Sequence, residues 1–69
     1  MTTMTTANAS LHELVSILAA ARYGSRVVAR RALRDLWPDA SQRAEGIALV
    51  RALDPESADV LATLDAEGA

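Results

Sequence analysis

The sequence predicts an all-α protein, a compact bundle of three to four short helices behind a disordered N-terminal tail. Three observations predict it. Apolar residues recur at spacings of three and four, and no window alternates as a strand would. Helix-opening residues at Ser10, Ser25, Asp39 or Ser41, and Asp54 divide residues 10–67 into short segments. Fifteen of the 69 residues are alanine, the strongest helix former.

Residues 1–9 are small, threonine-rich and aperiodic, and are expected to be a disordered tail, with residues 10–67 the single domain. They lack the positive and apolar regions of a secretory leader, so a cytoplasmic protein is expected. Ser10-Leu11-His12-Glu13 fits the capping box, in which serine and glutamate each satisfy an orphan backbone amide. Leu11, Leu14, Val15, Leu18 and Ala21 follow as one apolar stripe. Continuing that phase would bury Arg22, so a break is expected near 23–25. Gly24 suits a left-handed C-terminal cap there, and Ser25 a new N-cap.

The second helix is expected from about Arg26 to Trp37, with Val28, Ala29, Ala32, Leu33 and Leu36 inward and Pro38 ending it. A third, capped by Asp39 or Ser41, reaches about Leu53 and turns Gly46, Leu49, Val50 and Leu53 inward, flanked by Ile47. Glycine in that face costs about 1 kcal/mol of propensity against alanine, which points to a close helix crossing at Gly46. Asp54-Pro55-Glu56 restarts the chain with an acceptor, a proline and a carboxylate in their preferred helix-opening places. The fourth helix points Ala58, Val60, Leu61 and Leu64 inward, and Gly68 lies past its end.

Composition narrows the function classes. Nine leucines, five valines, two isoleucines and one tryptophan make a thin core, and without cysteine no disulfide can reinforce it. One histidine and scattered carboxylates do not make a metal site, so self-association or a partner protein is the expected supplement. The longest apolar stretch, Leu14 to Ala21, is far below the ~20 residues of a membrane span.

No catalytic constellation is present. His12-Glu13 begins like a zinc-protease motif, but Ser16 stands where the second histidine belongs. There is no cysteine nucleophile, and the three glycines stand apart rather than forming a phosphate loop. We therefore expect no catalytic residue, no cofactor, no metal and no small-molecule substrate, and read His12 as a surface residue.

The charge is the distinctive feature. The net value is −2, yet residues 1–34 carry +4 and residues 35–69 carry −6. Arg22, Arg26, Arg30 and Arg34 recur every four residues, Arg31 joins them, and no carboxylate falls between positions 22 and 34. On a helix, Arg26, Arg30 and Arg34 make one ridge beside the apolar face. Charges this dense repel, so something must neutralise them: the chain's own acidic half, within a subunit or across a dimer; an acidic partner protein; or a phosphate backbone. The last alternative is a small dimeric helix-turn-helix-like regulator. The connection Pro38-Asp39-Ala40 has the length of that motif's turn, and Ser41, Gln42 and Arg43 open the following helix, where base-reading residues belong.

Trp37 has two readings, a plug at the end of the bundle or a partly exposed interface anchor. Tyr23 is expected at the rim. The leading expectation is a non-enzymatic helical interaction or regulatory module, self-associating as a homo-oligomer or docking on another protein. The DNA-binding regulator is the alternative.

Overall fold

A computed structural model describes residues 9–67, which form four helices: α1 (Leu11–Tyr23), α2 (Arg26–Leu36), α3 (Ala40–Leu53) and α4 (Pro55–Glu67). No strand occurs among the described residues, so the all-α bundle stands. The expected tail, apart from Ala9, and Gly68 lie outside them. No helix is long and apolar enough to cross a membrane.

The helix boundaries follow local capping chemistry. Ser10 Oγ accepts the Glu13 amide at 3.1 Å while the Glu13 carboxylate accepts the Ser10 amide at 2.9 Å, completing the capping box. Ser25 Oγ accepts from the Val28 amide and Asp39 from the Ser41 amide, which assigns the α3 cap to Asp39 rather than Ser41. Asp54 closes α3 by donating its amide to the Val50 carbonyl, and its own carbonyl accepts from the Ala58 amide. Its carboxylate accepts the Ser57 hydroxyl at 2.7 Å. That bond, reinforced by the Arg22 guanidinium and by the Ser57 and Glu56 amides, outweighs partial desolvation and holds the Asp54 carboxyl below its ordinary 3.8.

The break between α1 and α2 falls where expected, but Gly24 does not adopt the left-handed cap. It is extended, at φ −83° and ψ 164°, as is the Ser25 cap that follows. A new helix starts only two residues on, so the chain has no room for a Schellman-type reversal. Glycine serves close approach instead: a Cβ at position 24 would lie 2.8 Å from the Ala20 carbonyl oxygen.

α4 is the hub and packs against each of the other three helices. α3 lies mainly on α4, while α1 and α2 pack on each other as a hairpin that brings Glu13 and Ile17 beside Ala32, Asp35 and Leu36. The core joins Ile17, Leu33, Trp37, Ile47, Val50, Ala58 and Leu61, with Leu14, Leu18, Ala32 and Leu36 packed at its margin.

The inward faces of α1 and α3 are turned from the expected ones, while α2 keeps Ala29, Ala32, Leu33 and Leu36 and α4 keeps Ala58, Leu61 and Leu64 inward. In α1, Ile17 is fully buried with Leu14, Leu18 and Ala21 beside it, whereas Leu11 and Val15 are exposed. In α2, Val28 faces out. In α3 the buried positions are Arg43, Gly46, Ile47 and Val50, and Leu49 and Leu53 are exposed. In α4, Ser57 replaces Val60 on the inner side. The observed sets in α1, α2 and α3 keep the i, i+3, i+4, i+7 rhythm, so the helical period holds throughout and the phase differs in α1 and α3. α1 is apolar on most sides, and only the position of α2 and α4 selects one stripe.

Gly46 also faces something other than the expected helix crossing. A Cβ there would come within 2.5 Å of the Trp37 indole ring. The small residue is a seat for an aromatic side chain rather than for a backbone.

Candidate interaction face

α2 positions the arginines. Ala29 and Leu33 enter the core, with Ala32 and Leu36 at its margin, and this anchors the helix by one stripe. Arg30, Arg31 and Arg34 then necessarily stand on the other sides, with Val27 and Val28 beside them. Val27 is 64% exposed and Val28 53%. Two open depressions run along this side. One, of about 350 Å³, is lined by Val27, Arg30, Arg31, Arg34 and Asp35. The other, of about 310 Å³, is lined by Val27, Val28, Arg31, Ala32 and Asp35.

The structure sorts the seven arginines into two groups. Arg22 Nε lies 3.0 Å from the Asp54 carboxylate, and its Nη2 lies 3.8 Å from that of Glu56. Arg26 donates to Glu67. Arg51 donates to Asp59 at 2.8 Å, and Arg43 to Asp65 at 2.7 Å. The acidic half of the chain therefore neutralises four arginines within the subunit. Arg30, Arg31 and Arg34 have no ion pair or hydrogen bond among the described residues. The Nε groups of Arg30 and Arg34 are shielded from solvent without an acceptor. Asp35, at i+4 from Arg31, makes no pair with it, which fits the weaker orientation of basic before acidic residue. Arg34 has one compensation, the negative end of the α2 dipole in the last turn.

The expected ridge is thus split. Arg22 and Arg26 are consumed by the α3–α4 junction and the end of α4, while Arg30, Arg31 and Arg34 remain together on the outer side of α2.

The expected base-reading group is not presented as a group. Ser41 is exposed, Gln42 half-buried, and Arg43 only 8% exposed. Arg43 Nη1 donates to the Trp37 carbonyl at 3.1 Å and the Pro38 carbonyl at 2.7 Å, while its Nε serves Asp65. Its planar donors tie the α2–α3 connection to α4, so they are engaged inside the protein. α3 rests on α4 rather than chiefly on α2, unlike the paired helices of a helix-turn-helix.

Trp37 is 1% exposed and lies in the core over Gly46, with its Nε1 lacking a hydrogen-bond partner. An interface anchor must be accessible to the partner, so burial removes it from that role and leaves it as the plug. Tyr23 is exposed at the end of α1, and His12 on its first turn. No group of three histidine, aspartate or glutamate side chains among the described residues could hold a metal ion.

Sequence reasoning missed Val27 and Val28 as a surface feature, having placed Val28 inward.

Compared with known proteins, the chain matches no protein-family model, no curated protein and no solved structure.

Proposed function

We propose that this protein is a docking module, not an enzyme, that holds an acidic partner protein on the outer face of α2. One observation carries the reading: four of seven arginines are neutralised internally, and the three that are not stand together on one face. Like charges kept adjacent without partners are unfavourable. A carboxylate-bearing partner relieves that repulsion, because guanidinium groups bind carboxylates through paired N–H donors.

A second copy of the chain is poorly suited to supply those carboxylates. Asp54, Glu56, Asp59, Asp65 and Glu67 already serve arginines, Glu13 and Asp39 cap helices, and Glu45 is also engaged; Asp35 is the one carboxylate without a partner among the described residues, and one carboxylate does not match three arginines. A phosphate backbone would gain nothing from covering Val27 and Val28, and the chain's negative net charge opposes it.

The test is fluorescence anisotropy with a labelled glutamate-rich peptide and a labelled mixed-sequence duplex, each at about 50 and 200 mM salt. Peptide binding that weakens with salt and vanishes in Arg30→Gln/Arg34→Gln is the expected result. Duplex binding without peptide binding would replace this reading with the nucleic-acid one, and binding of neither would end it.

A further inference from the structure

We infer that the acidic partner segment docks as an amphipathic α-helix, with its apolar stripe on Val27, Val28 and Ala32 and its carboxylates toward Arg30 and Arg34. This rests on the acidic-partner reading and adds the conformation and register of the occupant.

The shape of the face favours a rod. Both depressions extend from Val27 to Asp35, eight positions of helix or about 12 Å along the axis, with Arg31 shared between them. A helix laid along α2 can fill such a trough because its backbone groups are satisfied internally. An extended strand would find no sheet edge to pair with among the described residues.

The chemistry across the face is graded to match. One depression offers the exposed valines and Ala32, which gain by being covered with apolar side chains, alongside Arg31 and Asp35. The other offers Arg30 and Arg34, one turn apart, or about 6 Å along the axis. Carboxylates four positions apart on a facing helix have the same spacing and can each take one guanidinium. Groove-binding helices use apolar i, i+3, i+4, i+7 residues for just such a strip. Asp35 lines both depressions with a negative charge, so a basic residue of the segment fits beside it.

Two labelled peptides of about 15 residues and identical composition separate this inference from the reading beneath it. One places leucines at i, i+3, i+4 and i+7 with glutamates four apart on the flank; the other shuffles these residues so that no face forms. The expected result is that the facial peptide binds about tenfold tighter or more and gains helical ellipticity on binding. Val27→Ser/Val28→Ser, whose changes are both on exposed positions, should remove that advantage, while Arg30→Gln/Arg34→Gln should weaken both peptides. Equal binding of the two peptides would overturn the helical inference and leave the acidic-partner reading standing. Binding of neither peptide would overturn both, whether or not a DNA duplex binds.

Discussion

The indole of Trp37 occupies the space that a side chain at Gly46 would need, with ring atoms 2.5 Å from the position of a Cβ. The two residues face each other across the junction of α2 and α3, and the absence of a side chain lets the protein's largest residue lie fully inside. The core is built around this contact. Gly46→Ala should therefore destabilise, although alanine gains about 1 kcal/mol in helix propensity. The rigid, buried ring cannot swing away, and overpacking costs about 1–3 kcal/mol. A fall in Tm, measured by circular dichroism, is expected; a rise would show that the ring has room to move. Trp37→Ala removes about 3–5 kcal/mol, as much as a core of this size supplies, and should leave the chain unfolded.

Arg43 is the second structural tie. Its three donor contacts reach the carbonyls of Trp37 and Pro38 and the carboxylate of Asp65. Arg43→Ala leaves these acceptors without their donor and should cost about 1–3 kcal/mol. Arg43→Lys should recover only part of it, since an ammonium cannot reproduce the planar fork. Urea denaturation of the two variants checks this, and a lysine variant as stable as wild type would show that charge alone suffices.

Asp54 should make stability depend on acidity. Its pKa is lowered in the folded protein, chiefly by the Ser57 hydroxyl and with help from Arg22, so the ionised form is favoured by folding. That contribution is complete above the unfolded value near 3.8 and is lost as pH falls through the lower folded value. Asp54→Asn should lower Tm at about pH 7, and its deficit should shrink as the solution approaches about pH 2. A deficit that stays constant over that range would assign it to altered hydrogen bonding rather than ionisation.

Arg30 and Arg34 should behave oppositely to Arg43. They make no ion pair or hydrogen bond among the described residues, so Arg30→Gln/Arg34→Gln, which keeps much of each stem, should change stability by no more than about 0.5 kcal/mol. Thermal melts beside the binding assay check this. A large loss of Tm would give the pair a structural role and remove the reason for an external partner.

Most helix boundaries were legible because their causes are local. Ser10 and Glu13, Ser25 and Val28, and Asp54 and Ser57 are each three residues apart, so the capping groups and their targets are visible together in a short window. The charge asymmetry was equally plain. The candidate face was only half legible: the arginine cluster could be seen, but not which members would be quenched. Arg26 meets Glu67 across 41 positions, and Arg43 meets Asp65 across 22.

The amino-acid order alone determined that the chain is helical, where most of its helices start and stop, and that cations gather in one half and anions in the other. Those outcomes depend on backbone capping and periodicity within a few residues. The tertiary structure decided which stripe of each helix is inside, that Trp37 and Arg43 are interior ties, and that Arg30, Arg31 and Arg34 are the arginines left without an ion pair among the described residues. Burial and ion pairing depend on what another helix brings alongside. α4, the last helix in the chain, is also the one against which all the others pack.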